Sequence, residues 1–250
     1  LPISPAGAGY LYGGFSTNVD AMKTWSMKSD DNLVSFELRP GDVLYNPATG
    51  YQDPPTSERS EIAMPSTRWA NGVPVNVSYE MLIPSGFDFN TNWAVVGQMH
   101  ADLNTSPPLE FVFRNGYGLN QLLLVTRSGA ASTNGVEKVI PVGKGAIARD
   151  VWHKVRIETK MGQDGYQRVW FNDALVLAQS GVIGFNEQTN WYWRMGIYRR
   201  AATQAYKIQY RNFVMTRSAL STVMTSGDYN ADLKSDLVVR TPDNWISLWQ

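Results

Sequence analysis

The sequence contains no cysteine, which excludes disulfides and thiolate metal sites. Charge is sparse and balanced: charged residues make up 18%, with 22 Lys+Arg against 22 Asp+Glu. That balance argues against a generic nucleic-acid binder. No apolar run reaches the roughly 18 residues that a spanning helix needs, so no membrane segment is expected. The opening residues, Leu1-Pro2-Ile3-Ser4-Pro5, carry neither a basic n-region nor an apolar h-region and read as a mature start. Long amphipathic helices are also lacking, and the one window of helical period, Thr17 to Met27, is weak.

What is present is a hydrophobic content of 43% over 250 residues, enough for one large all-β domain or two small ones. Short alternating segments recur between Gly- and Pro-containing turns. They are Leu33 to Arg39, Val73 to Ile83, Trp93 to His100, Leu109 to Phe113, Gln121 to Arg127, His153 to Lys160, Gln167 to Asn172, Trp191 to Arg200 and Tyr206 to Thr216. This pattern predicts an all-β fold, a jelly roll or concanavalin-like antiparallel sandwich. The segment Trp152-His153-Lys154-Val155, followed by Val169-Trp170-Phe171-Asn172-Asp173, resembles a hairpin common in lectin-like sandwiches.

Residues 219–250 differ from 1–218 and read as a separate fragment or linker. Asp228, Asn230, Asp232 and Asp236 place oxygen ligands at offsets that suit a hard cation, so a structural calcium is possible there. The run resembles the D-x-N-x-D-x-x-x-D loop of FG-GAP repeats. One such repeat cannot bury its own face, which implies that the natural protein continues past residue 250.

The densest stretch is Trp191-Tyr192-Trp193-Arg194-Met195-Gly196-Ile197-Tyr198-Arg199-Arg200. On a strand, Tyr192, Arg194, Gly196, Tyr198 and Arg200 share one face, while Trp193, Met195 and Ile197 share the core face. The first set forms a floor for an anionic ligand beside a proton-exchanging phenol. Gln98 and His100 likewise project together from Trp93 to His100. Arg59 and Glu61 share a face if Ser57 to Ile62 is extended, and in isolation they read as a surface ion pair. His153, next to Trp152, reads as structural, a surface or edge residue.

Arg59-Ser60-Glu61-Ile62, Gln98-Met99-His100 and Tyr192-Trp193-Arg194-Met195-Gly196-Ile197-Tyr198, in that order, resemble the motifs of jelly-roll polysaccharide lyases. Alginate lyases of the large bacterial family show R-(S/T)-E-L, Q-(I/V)-H and Y-F-K-A-G-x-Y-N-Q. Glucuronan lyases and heparinase I-like lyases share the fold and a related G-x-Y-R version of the last motif. The resemblance covers residues 30–218. Arg194 stands where alginate lyases have lysine, and Arg199-Arg200 where they have Asn-Gln, which favours the glucuronan or heparin side.

The resemblance implies cleavage of a uronate-containing polysaccharide by β-elimination, leaving a C4–C5 unsaturated end. The chemistry needs a neutralised carboxylate, a base for the C5 proton and an acid for the leaving C4 oxygen. Arg59 and Gln98 suit the first task. His100 and Tyr198 suit the acid/base work, and sequence does not divide the two roles between them. Arg194, Arg200, Tyr192, Glu61 and Arg114 are then expected to contact the polymer, with Arg127 extending the cleft. Trp69, Trp93, Tyr117, Trp191 and Tyr192 are candidates for sugar stacking, although most aromatics in a sandwich belong to its core.

No cofactor is expected for catalysis, and the implied partner is an acidic polysaccharide rather than nucleic acid or membrane. A monomer, secreted or periplasmic, is the accompanying expectation. The rival class is a non-catalytic, lectin-like carbohydrate-binding module. A jelly-roll hydrolase fits less well: it needs facing carboxylates, whereas Glu58 and Glu61 point to opposite sides of a strand.

Overall fold

The computed structural model describes residues 11–12, 15–18, 23–30, 33–46, 50–63, 68–101, 106–217, 220–227, 236–240 and 246–249. Every regular element among them is a strand. In chain order these begin with β1 (Leu11–Tyr12), β2 (Phe15–Asn18), β3 (Met27–Asp30), β4 (Leu33–Leu38), β5 (Tyr45–Asn46), β6 (Tyr51–Gln52) and β7 (Ser57–Ala63). There follow β8 (Trp69–Ala70), β9 (Pro74–Leu82), β10 (Trp93–Ala101), β11 (Leu109–Arg114), β12 (Leu122–Gly129), β13 (Val136–Pro141) and β14 (His153–Lys160). The last are β15 (Gly162–Phe171), β16 (Ala174–Phe185), β17 (Asn190–Arg200), β18 (Tyr206–Arg217), β19 (Leu220–Gly227), β20 (Asp236–Arg240) and β21 (Ile246–Trp249).

Two antiparallel sheets pack face to face as a β-jelly roll. The front sheet runs β1-β2-β7-β17-β10-β11-β12-β13, with β8 on the β7 side of β17. The back sheet runs β3-β4-β18-β9-β14-β15-β16. The far end of β16 leaves the back sheet and pairs in parallel with β12 through Gly184 and Phe185. The expected hairpin of Trp152 to Asp173 is present as β14 and β15, with Val155 opposite Phe171.

Period-two alternation builds the core. In β9, Val75, Val77, Tyr79 and Met81 point inward, and β14 contributes Val155 and Ile157. They meet Met99, Phe111, Phe113, Leu122, Leu124, Trp193, Met195 and Ile197 from the front sheet. The strands β11 and β12 read as nearly continuous apolar runs because both of their faces are covered. On the outer face, Val95, Val112, Leu123 and Val125 form a second small cluster against Trp93, Val139 and Tyr198.

The weak helical window does not form a helix at its ends, where Thr17 lies in β2 and Met27 opens β3. β13 and β16 were not expected from sequence. β19 pairs with the end of β18, from Val214 opposite Val223 to Arg217 opposite Leu220, and β20 and β21 continue that meander. Backbone pairing therefore runs across the division expected at residue 218. Asp228, Asn230 and Asp232 lie outside the described residues, and only the backbone of Asp236, at the start of β20, is described.

Candidate active site

Three strands meet side by side in the front sheet and bring together the motifs that are far apart in sequence. β17 lies between β7 and β10. Tyr198 stands opposite Arg59 on one side and Val95 on the other, Arg194 opposite Ala63 and Gln98, and Tyr192 opposite His100. Alternation sends all of these long polar side chains to the outer face, while Trp191, Trp193, Met195 and Ile197 go to the core.

Two irregularities tune the arrangement. The register of β10 shifts between Val95 and Gly97, so Val95 and Gln98 both face outward although three positions apart. In β17, Gly196 has φ +132, and a Cβ there would sit 2.3 Å from the Ser60 carbonyl oxygen. Only glycine lets β7 approach so closely. Beneath both irregularities, the Tyr210 hydroxyl reaches up from the back sheet to the Val96 carbonyl and, at 3.1 Å, to that of Gly196.

Glu61 is 1% exposed and sits under the centre of the site. Its Oε1 accepts a 2.6 Å hydrogen bond from Gln98 Nε2. Its Oε2 lies 3.6 Å from Arg59 Nη1 and 3.6 Å from Arg194 Nη1, and accepts no hydrogen bond among the described residues. Asp53 holds Arg59 with both carboxylate oxygens, at 3.0 and 3.3 Å, and accepts a 2.7 Å bond from the Tyr51 hydroxyl. The Arg59 guanidinium in turn lies 3.9 Å from the centre of the Tyr198 ring. Trp93 meets that ring at an angle of 66° and 4.8 Å. Burial opposes the charge on Arg59, but Glu61 and Asp53 more than offset it and hold the guanidinium protonated. Two arginines and two carboxylates make this cluster neutral as a whole.

At the other end, Arg194 Nη2 donates to the Tyr192 hydroxyl at 2.8 Å. His100 Nδ1 lies 3.3 Å from that hydroxyl and 2.6 Å from the Ala101 carbonyl oxygen. A carbonyl can only accept, so Nδ1 carries a hydrogen, and in the neutral ring the lone pair then belongs to Nε2. That is the tautomer a proton acceptor needs.

The remaining sequence candidates separate by location. Arg200 is exposed, and no carboxylate pairs with it among the described residues. Arg114 and Arg127 lie on the same outer face, closed into a network with Glu110 and Glu137 by contacts of 2.7–2.9 Å. Their charge is compensated, so that half of the sheet is not the open basic surface that the arginines alone suggested. Arg199 turns inward. Its Nε and Nη2 both lie 2.6 Å from Glu58 Oε2, its Nη1 donates to the Gln204 carbonyl at 2.7 Å, and it stacks on Tyr206 at 4.1 Å.

His153 is structural, as expected, but buried rather than at the surface. It receives Asn172 Nδ2 on Nδ1, donates from Nε2 to the Ala148 carbonyl, and stacks on Phe171. Among the aromatic candidates, Trp69 and Trp191 are buried and Tyr192 nearly so. Trp93 is half-buried on the site face, and Tyr117 is exposed beyond β11. Among the described residues, no group of three His, Asp or Glu could hold a metal ion. No helix among them is long and apolar enough to cross a membrane.

Asp53 and Tyr51 were missed from sequence. An aspartate before Pro54-Pro55 reads as ordinary turn chemistry, and nothing local shows that it reaches Arg59.

Solved structures of similar fold include an alginate lyase of polysaccharide lyase family 7, AlgAT5, with TM-score 0.56 and 15% identity over 78% of this chain and 84% of that one. An endo-β-1,4-glucuronan lyase from the fungus Trichoderma reesei aligns with TM-score 0.58 and 14% identity, over 84% of this chain and 93% of that one. A second alginate lyase gives 0.57 and 14%, over 85% and 93%. No curated protein sequence matches the chain. The family model described as polysaccharide lyase does match, from residue 13 to residue 213 of the 250, and the chain belongs to that family as a polysaccharide-cleaving lyase.

Proposed function

We propose that this lyase cleaves a uronate-containing polysaccharide by β-elimination, with Arg59, Gln98, His100 and Tyr198 as its reacting set. One observation carries the reading: Arg59, Gln98, Arg194, Tyr198, Tyr192 and His100 project from three adjacent strands onto one face. Guanidinium and amide donors sit in the middle, with a phenol and an imidazole on either side.

The uronate carboxylate resists loss of the C5 proton until its developing charge is stabilised. Asp53 uses Arg59 Nε and one Nη2 hydrogen, which leaves further guanidinium N–H groups for a substrate carboxylate. Gln98 gives one amide hydrogen to Glu61 and keeps a second for the same carboxylate. In a β-1,4-glucuronate chain the C5 proton and the C4 oxygen lie on one face of the ring. Tyr198, entering as the phenolate, can then take the proton to become the phenol and return it to the leaving oxygen, which restores the phenolate. In the C5 epimer they lie on opposite faces, and His100 Nε2 takes the proton while Tyr198 protonates the oxygen. Arg194 and Arg200 supply further contacts to the acidic polymer. Glucuronan is the favoured substrate, because on the site face Arg194 stands in place of the lysine and Arg200 in place of the glutamine of the alginate motif. Such polymers are met outside the cytoplasm, which places the activity in a secreted or periplasmic protein.

The test is a panel of glucuronan, alginate and heparin-type polymers, read by the near-ultraviolet absorbance of the C4–C5 double bond. Glucuronan is expected to give the strongest signal. Tyr198→Phe should lower turnover by about 10²–10⁴-fold, the usual contribution of a general acid/base group, while polymer binding persists. Binding without absorbance across the whole panel would replace this reading with the lectin-like one.

A further inference from the structure

We propose that Asp53, backed by Tyr51, is a positioning residue that ties Arg59 onto the ring of Tyr198 and balances the charge beside it. The proposal rests on the β-elimination reading above and adds a group that no substrate atom touches. Asp53 lies just after β6, in the short arm formed by β5 and β6, where Tyr45 pairs with Gln52 and Asn46 with Tyr51. Its backbone N–H donates to the Leu44 carbonyl at 3.0 Å, which anchors the arm's return.

The carboxylate is buried, with a side chain 1% exposed, and all its visible bonding is directed at the site. Oδ2 accepts from Arg59 Nε at 3.0 Å, while Oδ1 accepts from Arg59 Nη2 at 3.3 Å and from the Tyr51 hydroxyl at 2.7 Å. A two-point contact of this kind fixes the plane of a guanidinium as well as its position. Glu61 cannot do the same work, because its approach to Arg59 is 3.6 Å, beyond a hydrogen bond. Asp53 therefore decides where the Arg59 plane lies, and that plane covers the Tyr198 ring at 3.9 Å. Burial, and next its bond to Asp53, hold the Tyr51 phenol above its ordinary value, so it remains a donor to the carboxylate.

The charges around Tyr198 make the idea testable. β7 offers Arg59 and Glu61, the arm offers Tyr51 and Asp53, and β17 itself offers Arg194 and Arg200. β10 places Val95 and Trp93 against the ring, with His100 farther along. Removing the Asp53 charge leaves Arg59 in excess beside the phenol. A nearby uncompensated cation favours phenolate, so whichever limb of the pH profile Tyr198 governs, as base or as acid, must move to lower pH.

The experiment measures kcat and KM against pH on the polymer that wild-type protein cleaves best, for Asp53→Asn, Asp53→Glu and Tyr51→Phe, with circular dichroism to check folding. Asp53→Asn should lower kcat by about 10- to 100-fold, the usual scale for losing a group that orients a reacting one. KM should change far less, and the tyrosine limb should move to lower pH. Asp53→Glu should return the limb towards its wild-type position because the charge is restored, and Tyr51→Phe should give a smaller loss in kcat. Asp53→Glu and Tyr51→Phe decide the matter if Asp53→Asn does not fold. An active wild type whose folded variants keep both kcat and the pH limb overturns the brace alone. A wild type that forms no unsaturated product from any polymer overturns the function and the brace with it.

Discussion

Replacing Arg199 with methionine should damage the fold and spare the site, although Arg199 sits beside Tyr198 in sequence. The Arg199 side chain is 0% exposed and Glu58 1%. Both are held in the interior by 2.6 Å contacts to each other, with Gln204 and Gly41 satisfying the remaining directions. Removing the cation alone leaves a buried carboxylate without compensation, which costs about 3–5 kcal/mol. A domain of this kind has a total stability of only about 5–15 kcal/mol. With a urea m-value of roughly 2–3 kcal/mol/M, the unfolding midpoint of Arg199→Met should fall by roughly 1–2.5 M. Adding Glu58→Gln removes the stranded charge yet still accepts from the Gly41 N–H. The double variant should therefore recover most of the loss, since an uncharged buried pair is often no less stable than the ionic one. In polymer assays on folded protein, Arg199→Met should keep its KM. The exposed neighbour gives the contrast: Arg200→Met should raise KM by about two- to fivefold, the factor for an exposed charge contact of about 0.5–1 kcal/mol, without moving the midpoint. An Arg199→Met protein as stable as wild type, or one that is stable but binds polymer poorly, would refute this reasoning.

Gly196→Ala should be poorly folded or inactive, because its Cβ would meet Ser60 O at 2.3 Å and the Glu61 Cα at 2.6 Å at a φ of +132. Thermal unfolding checks this, and a wild-type melting temperature would sink the close-approach argument. Tyr210→Phe should destabilise the protein by about 1–3 kcal/mol, the cost of leaving a buried polar group unpaired beneath the two irregular strands, as read from urea midpoints. Glu137 is held below its ordinary value of 4.5, first by its hydrogen bond to Arg114 and then by the field of Arg127. A carboxyl with a depressed folded value stabilises the fold above its unfolded value and loses that contribution as the pH falls through the folded one. Stability should thus decline on acidification below about pH 4.5, and Glu137→Gln should decline less steeply. A Glu137→Gln curve with the same acid slope as wild type would count against the network.

Much of the architecture is legible without coordinates, since strand alternation is a local property. Val73 to Ile83 alternates with the period of a two-faced strand, and β9 matches it nearly end to end. The division of Trp191 to Arg200 into a core face and a site face follows from the same rule. β16 escaped notice because its small and polar residues, Ala178, Gln179, Ser180 and Gly181, interrupt any alternation, while its edges are held by β15 and β12. Among the site residues, Arg59, Gln98, His100 and Tyr198 were visible as three motifs, and the structure places them on one face.

Charge partners were not legible. Arg199 and Arg200 are adjacent in sequence and equally basic. One is sealed against Glu58, 141 positions away, and the other is exposed. Arg114 and Arg127 suggested a basic cleft, whereas Glu110 and Glu137 neutralise them across β11, β12 and β13. Sequence by itself determined which side of its own strand a residue takes wherever the strand is regular, because backbone pleating sets that locally, but not across the register shift between Val95 and Gly97. Only the tertiary structure decided which charges meet, which arginines stay available, and that Asp53 in a turn holds Arg59 against Tyr198. Those outcomes depend on register between strands far apart in the chain, where a shift of a single residue would reverse them.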